Sequence, residues 1–376
     1  MKFNPSPQHT VGVEWELQLL DPETLDLFNG IKPLMEFFPK RKFVKPEYIQ
    51  SCVELTSDVS RNSDEAVAHL RRTLLKTLQR CGELDMTVCA AGTHPFCRRL
   101  ALITPMPRYR RMAKSAGYLA SNQITFSTHV HIGMDSGDQA MLVMSRLIPV
   151  VPALVAISAN SPFWRGHITG HAAYRHRILA AAPNYGLPTA FDNWDAFSEF
   201  LDAAKRASMI EHFKDIHWDI RPHPDYGTLE IRAMDSASDL RSVHALVSFV
   251  RCLVVVLASA SNGDLEHIFP KDLPYWIEKQ NRFRAGQRGM DAEYIVDGNG
   301  SHRPMREFIR DLLDFCRPAA AEIGESEGFR RVEALLEETS AYQRQLDAYS
   351  AGNSARAVVE TLQDRLAGDY RAARVA

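Results

Sequence analysis

The amino-acid sequence predicts an α+β protein in which an antiparallel β-sheet is flanked by helices set apart from it. Three observations carry this prediction. Several short stretches alternate apolar and polar residues with a period of two, and two of them are joined by a turn-rich hexapeptide. The intervals between them carry helical apolar stripes. Hairpin-linked strands with segregated helices favour antiparallel pairing over a doubly wound parallel sheet.

Taken in order, Val11, Val13, Trp15, Leu17 and Leu19 alternate with Gly12, Glu14, Glu16 and Gln18, the pattern of a half-buried strand. Residues 49–56 read as a second short strand. Asn62 and Glu65 resemble an N-cap and its N3 partner, and Val67, Leu70, Leu74, Leu78 and Cys81 continue as one helical stripe. Over 122–133, Ile124, Phe126, Thr128, Val130 and Ile132 alternate with Thr125, Ser127, His129 and His131. Residues 141–157 are apolar nearly all round and predict a single buried helix. Ile216, Trp218 and Ile220 lead through Pro222, His223, Pro224, Asp225, Tyr226 and Gly227 into Leu229, Ile231 and Ala233, a hairpin signal. From about residue 270 the pattern is mostly helical. With no repeat, low-complexity tract or linker, the expectation is a single unit over 1–376.

Composition narrows the function classes. The 376 residues are 45% apolar and 24% charged, enough for a sizeable core. A formal charge of −2 offers no bulk attraction to nucleic acid or to an acidic membrane. The cysteines at 52, 81, 89, 97, 252 and 316 form no Cys-x-x-Cys pair. The first ten residues lack a signal-peptide core, and the longest apolar run, 252–260, falls short of the roughly 20 residues of a membrane helix. A cytoplasmic protein is expected.

Side chains two apart on a strand share a face. Glu14 with Glu16, His129 with His131 and Glu230 with Arg232 therefore each lie opposite their strand's apolar side. If these strands share a sheet, one face is core and the other collects acids, histidines and an arginine, which should repel itself unless cations bind. Each pair also has a plain structural reading: a solvated Glu-x-Glu edge, satisfied histidines, a Glu230–Arg232 ion pair. Glu54, between Val53 and Leu55, needs either a metal or a salt-bridge partner. There is no Gly-Lys dipeptide and hence no P-loop, and Gly298-x-Gly300 lacks the rest of a dinucleotide fingerprint. Metalloprotease, α/β-hydrolase and kinase motifs are also missing. A nucleotide here would have to be held through metals and arginines.

Seven motifs, GVEWE (12–16), VELTSDV (53–59), GTHPF (92–96), HVHIG (129–133), HWDIRP (217–222), GTLEIRAMD (227–235) and NRF (281–283), occur in an order and spacing that resemble the glutamate–cysteine ligase type 2 family of bacterial carboxylate–amine ligases, in the glutamine synthetase-like superfamily. The resemblance covers roughly residues 10–290. It implies an antiparallel sheet curved into a funnel, with ATP and Mg²⁺ at one end and an amino-acid site at the other. By motif position it implies Glu14, Glu16, Glu54, His131 and Glu230 as metal ligands and Arg232 as the phosphate-binding arginine. Glu47 sits where related ligases carry an acid, although its odd separation from Glu54 demands a bend or bulge. Arg221 is a candidate for the substrate carboxylate, against a salt bridge across the hairpin. Arg282, Arg284 and Arg288 could reach phosphate, against a solvated basic face. The implied reaction activates a carboxylate, glutamate, as an acyl phosphate and joins it to an amine, cysteine by the family's usual reading. A histidine ligand would also suit Mn²⁺. Two other classes compete, a metal-dependent amidohydrolase and a non-catalytic binder of ATP or an amino acid. Oligomeric state, homo-oligomer included, stays open.

Overall fold

The computed structural model describes residues 1–7, 9–266, 268 and 273–375. Seven strands form its main sheet: β1 (Val11–Leu20), β2 (Val44–Pro46), β3 (Cys52–Thr56), β4 (Thr87–Cys89), β5 (Ser127–Gly133), β6 (Ile220–His223) and β7 (Thr228–Asp235). Their order is β6-β7-β5-β1-β3-β2, with β4 also pairing β1, and every pairing is antiparallel. The sheet runs open from β6 to β2.

The alternation in β1 works as expected. Val11, Val13, Trp15, Leu17 and Leu19 are buried in one large apolar cluster with Leu70 and Leu74 of the helix Ser63–Glu83 and Val243, Leu246 and Val250 of the helix Leu240–Ser259. Trp15 fits this interior because its indole N–H donates to Ala237 O at 3.0 Å. The helix Ser63–Glu83 starts where Asn62 accepts from Glu65 N at 3.0 Å, a cap contributing about 1 kcal/mol. Glu65 reaches back to Arg61 N, at 2.9 Å, instead of to the cap residue.

Three elements differ from expectation. The second strand starts at Cys52, because residues 50 and 51 form a turn and Ile49 makes only an isolated bridge to Ile103. The stretch 122–133 is a strand only from Ser127, the preceding Tyr118–Asn122 being a short helix. The apolar stretch 141–157 is not one helix: Gly137–Leu147 passes through a 3₁₀ turn, Ile148–Val150, into Val151–Ser158. Pro149 and Pro152 remove the N–H groups that a continuous α-helix would need there. Gly137–Ser158 and Leu240–Ser259 are each long and apolar enough to cross a membrane, longer than the run 252–260 suggests. Most of each is buried inside the protein, so its apolar character serves the core.

The predicted hairpin is present as β6 and β7, and its turn residue Gly227 has φ +65. A register shift between Ile231 and Met234 against β5 marks a β-bulge at Arg232, whose N–H bonds Asp219 O at 2.7 Å instead. Beyond residue 270 the described chain is helical apart from the pair Glu293–Ile295 and His302–Pro304.

Candidate active site

Strand register gathers the polar residues into rows. Glu14 lies opposite His129 on one side and Thr56 on the other, and Glu16 lies opposite Glu54. His131 faces Glu230, which faces Arg221 on the outer strand, while Lys45 on β2 faces Glu54. This wall lines a cavity of about 440 Å³. Of the residues singled out in sequence, Glu14, Glu16, Glu47, Glu54, His129, His131, Arg221, Glu230 and Arg232 line it.

The tightest grouping is Glu14, His131 and Glu230, which each offer a ligand atom within 4.8 Å of the others. His131 Nε2 is 3.6 Å from Glu14 Oε1 and 3.8 Å from Glu230 Oε1, too far for hydrogen bonds. It is buried without a hydrogen-bond partner among the described residues, while Nδ1 meets Thr228 Oγ1 at 3.0 Å. That second bond orients the ring with Nε2 toward the two carboxylates. His129 has the supporting position, with Nδ1 3.2 Å from Glu14 Oε2 and Nε2 2.7 Å from Ser127 Oγ.

Glu230 is a hub. Its Oε2 accepts from Arg221 Nε at 3.0 Å and Nη2 at 2.7 Å, and its Oε1 accepts from Arg232 Nη1. Burial alone would raise its pKa, but Arg221 and Arg232 outweigh that and hold it well below the usual carboxylate range. Arg221 also donates to Lys214 O at 3.1 Å and Ile216 O at 2.7 Å. Its guanidinium is thus committed to the hairpin, and the salt-bridge reading describes its contacts better than a substrate-facing one.

A second acidic group lies further along the wall. Glu54 meets Lys45 Nζ at 3.0 Å, and the same ammonium is 3.9 Å from Glu14. Glu16 accepts from Ser127 N at 2.6 Å and from Ser127 Oγ at 2.9 Å. Burial, then the Glu47 charge, pushes Glu16 up to about 8, and burial and Glu14 push Glu54 well above its usual value. Glu14 behaves oppositely: burial raises it, but the contact with His129 and the nearby His131 bring it well below the usual carboxylate range. Glu47 reaches the cavity because β2 ends at Pro46, so strand parity with Glu54 does not apply. It accepts from Tyr48 N at 2.9 Å and Tyr109 OH at 3.3 Å.

Sequence reasoning missed Lys45 and Arg175. Lys45 was legible in principle, as the cross-strand neighbour of Glu54, once β2 was recognised; a three-residue strand ending in proline gives little signal. Arg175 starts a five-residue helix far from any strand pattern, yet it lines the cavity. The basic triplet is corrected: among the described residues none of Arg282, Arg284 and Arg288 lines the cavity. Arg282 instead pairs with Asp219, at 2.8 Å from Nη2 to Oδ1, and meets His176 Nδ1 at 2.9 Å. NRF and HWDIRP are thereby joined by a structural ion pair.

Two solved structures share this fold. The structure of glutamate–cysteine ligase from Francisella tularensis in complex with AMP has TM-score 0.66 at 13% identity, covering 100% of this chain and 95% of that one. A bifunctional glutathione synthetase from Pasteurella multocida has TM-score 0.68 at 12% identity, covering 96% of this chain and 53% of that one. Fold and relatives together define the class as an ATP-dependent carboxylate–amine ligase, an enzyme that forms a carbon–nitrogen bond. The chain belongs to the glutamate–cysteine ligase family 2 (GCS2), whose family model matches residues 10–361. A relative from Trichormus variabilis named "Putative glutamate--cysteine ligase 2" is 40% identical over 366 residues, 97% of this chain and 95% of its own. One of the same name from Mycobacterium tuberculosis is 34% identical over 362 residues, 96% of each.

Proposed function

We propose that this enzyme transfers the γ-phosphoryl group of ATP to the side-chain carboxylate of glutamate and joins the resulting acyl phosphate to the amine of cysteine. The carrying observation is the convergence of Glu14, His131 and Glu230 on one point, with His131 Nε2 buried and without a hydrogen-bond partner among the described residues. A buried nitrogen that loses solvation without gaining a hydrogen bond is costly to the protein alone. The donor set, two carboxylates and one imidazole, fits a divalent cation, Mg²⁺ or Mn²⁺.

On this reading Glu14, His131 and Glu230 hold one cation and Glu16, Glu47 and Glu54 contribute to holding another. The cations would supply charge neutralisation for a triphosphate brought against an anionic substrate. The remaining work falls to the chain's own residues. Arg232, with burial lowering its pKa but Glu230 raising it further, stays cationic and faces the cavity as a stabiliser of charge on the transferring group. His129 orients Glu14 through their 3.2 Å contact. Lys45 neutralises Glu54 and Glu14, supplying charge that a bound cation would otherwise bring. Glu16, raised to about 8, would have to give up its proton to hold a cation.

The amidohydrolase alternative requires further histidines and an aspartate at strand ends of a parallel barrel. The observed sheet is antiparallel and open, which removes that reading. ADP release in the presence of Mg²⁺, ATP, glutamate and a panel of amines tests the proposal. Release that needs both acid and amine supports it. Nucleotide binding without such release would leave only the non-catalytic reading.

A further inference from the structure

Beside the main cavity lies a second chamber, of about 500 Å³, that the proposed chemistry leaves unused. The two open into each other, because Tyr48, Arg108, Met112, Gln123, Tyr185 and His217 line both. Its size falls within the roughly 300–1,000 Å³ of pockets that hold drug-sized ligands. The main cavity already has ATP and the acid to accommodate.

The chamber lies between the helices Pro107–Ala116 and Tyr118–Asn122 on one side and residues 181–185 and 208–217 on the other. Its charged side chains are engaged with one another or with backbone. Arg111 Nε is 3.0 Å from Glu211 Oε2, and Arg108 Nη2 donates to Lys214 O at 2.8 Å. Asp215 Oδ2 accepts from Glu211 N at 3.0 Å and from His212 N at 2.9 Å. The wall left for a ligand is apolar: Ala116, Leu119, Ala182, Pro183, Met209 and Ile210. Leu119 and Met209 are 42% and 43% exposed, and an apolar ligand would remove that surface from water.

The junction of the two spaces is polar. Tyr48 OH, Arg108 Nε and Asn184 Oδ1 are buried there without a hydrogen-bond partner among the described residues. Asn184 Nδ2 donates to Asp215 O at 3.4 Å, which leaves Oδ1 as the free end of the amide. An O–H donor, an N–H donor and a carbonyl acceptor match the carboxylate and the amine N–H of an α-amino acid. Glu14, His131 and Glu230, where the triphosphate is proposed to bind, do not line the chamber.

We propose a further activity, which rests on the ligase reading: the chamber holds the side chain of a bulky apolar α-amino acid, such as leucine or phenylalanine, and presents its amine to the acyl phosphate. The nitrogen forms the C–N bond, phosphate leaves with the C–O electron pair, and the new amide nitrogen gives up one proton to solvent. Cysteine reaches the same junction but leaves the apolar wall uncovered.

The experiment measures ADP release by wild type, Ala116→Trp and Leu119→Asp with Mg²⁺, ATP, glutamate and one amine: cysteine, leucine, phenylalanine or hydroxylamine. Hydroxylamine is a small nucleophile that needs no chamber. A second readout titrates leucine and phenylalanine onto each protein loaded with Mg²⁺, glutamate and a non-hydrolysable ATP analogue. Wild type should use leucine or phenylalanine with a kcat/KM no lower than that for cysteine. Filling the chamber in Ala116→Trp should lower kcat/KM for these two by at least about tenfold relative to hydroxylamine, with Kd weakened in step and KM for ATP unchanged. Should Ala116→Trp fail to fold, Leu119→Asp, which puts a charge on the apolar wall, decides by the same ratios. A wild type that releases ADP with a small amine but uses neither leucine nor phenylalanine as well as cysteine overturns the inference and leaves the ligase reading standing. Unchanged ratios in the folded variants overturn it too. A variant that loses ATP affinity together with the large amine places the nucleotide base in the chamber, which also overturns it. If no amine, hydroxylamine included, gives ADP release, the ligase reading falls and the inference with it.

Discussion

Replacing Glu230 by glutamine separates the electrostatic role of this residue from its shape. The carboxylate is 1% exposed and accepts from Arg221 at 2.7 and 3.0 Å and from Arg232. The amide keeps the volume but removes the charge that both guanidinium groups contact directly. Breaking one side of a buried ion pair costs about 3–5 kcal/mol. For 376 residues the entropy of unfolding near the midpoint is roughly 0.8 kcal/mol/K, so the loss corresponds to about 4–6 °C in Tm. Glu16→Gln is the matched control. Its carboxyl, raised to about 8, is already mostly protonated at neutral pH in metal-free protein, so glutamine removes little. Thermal unfolding at pH 7 in EDTA should show Glu230→Gln clearly lowered and Glu16→Gln level with wild type or above it. Both should lose at least about 10²-fold in ADP release if each holds a cation, by analogy with removal of other charge-stabilising groups. Equal melting temperatures for the two variants would refute the assignment of Glu230 as the ion-pair hub.

Other outcomes follow from the same geometry. A carboxyl raised from 4.5 to about 8 contributes stability that is present below pH 4.5 and lost as pH rises through 8, so metal-free Tm should fall toward pH 8, less so in Glu16→Gln and less so with Mg²⁺ added. His94, lowered to about 4 by burial, contributes stability present above pH 6.5 and lost as pH falls toward 4, worth about 3 kcal/mol. His94→Gln should flatten that acid limb in pH-dependent urea denaturation, since an amide can replace its bonds to Leu25 O at 3.0 Å and Cys97 N at 3.0 Å. Gly227→Ala should lower stability by about 2–4 kcal/mol, because φ is +65 and the new Cβ would lie 1.9 Å from Asn4 O. Arg232→Lys should reduce kcat by about 10²-fold or more while retaining nucleotide binding, read by steady-state kinetics beside ATP titration.

Much of the central sheet was legible because it obeys a two-residue period. β1, β5 and the β6–β7 hairpin each show one apolar and one polar face in sequence, and that parity alone put Glu14, Glu16, His129, His131 and Glu230 on a common wall. Parity failed where the chain leaves regular strand. Glu47 reaches the cavity from beyond Pro46, and the bulge at Arg232 is set by a backbone bond to Asp219, neither of which leaves a periodic trace. The helix predicted over 141–157 misjudged two prolines whose apolar character masks their backbone effect. Arg175 was illegible for a different reason: its position is set by Ser161 and Asp235, 14 and 60 residues away, and an arginine on a short helix looks like any solvated one. His94 of GTHPF shows the converse, a motif residue whose contacts are structural, bonding Leu25 O and the Cys97 backbone.

The most direct test of the account is an anomalous diffraction map from crystals grown with Mn²⁺ and a non-hydrolysable ATP analogue. The account predicts a manganese peak bonded by Glu14, His131 Nε2 and Glu230, with Lys45 moved away from Glu14. Manganese absent from that point, with Arg232 and Lys45 still neutralising the acids and the nucleotide elsewhere, would contradict it.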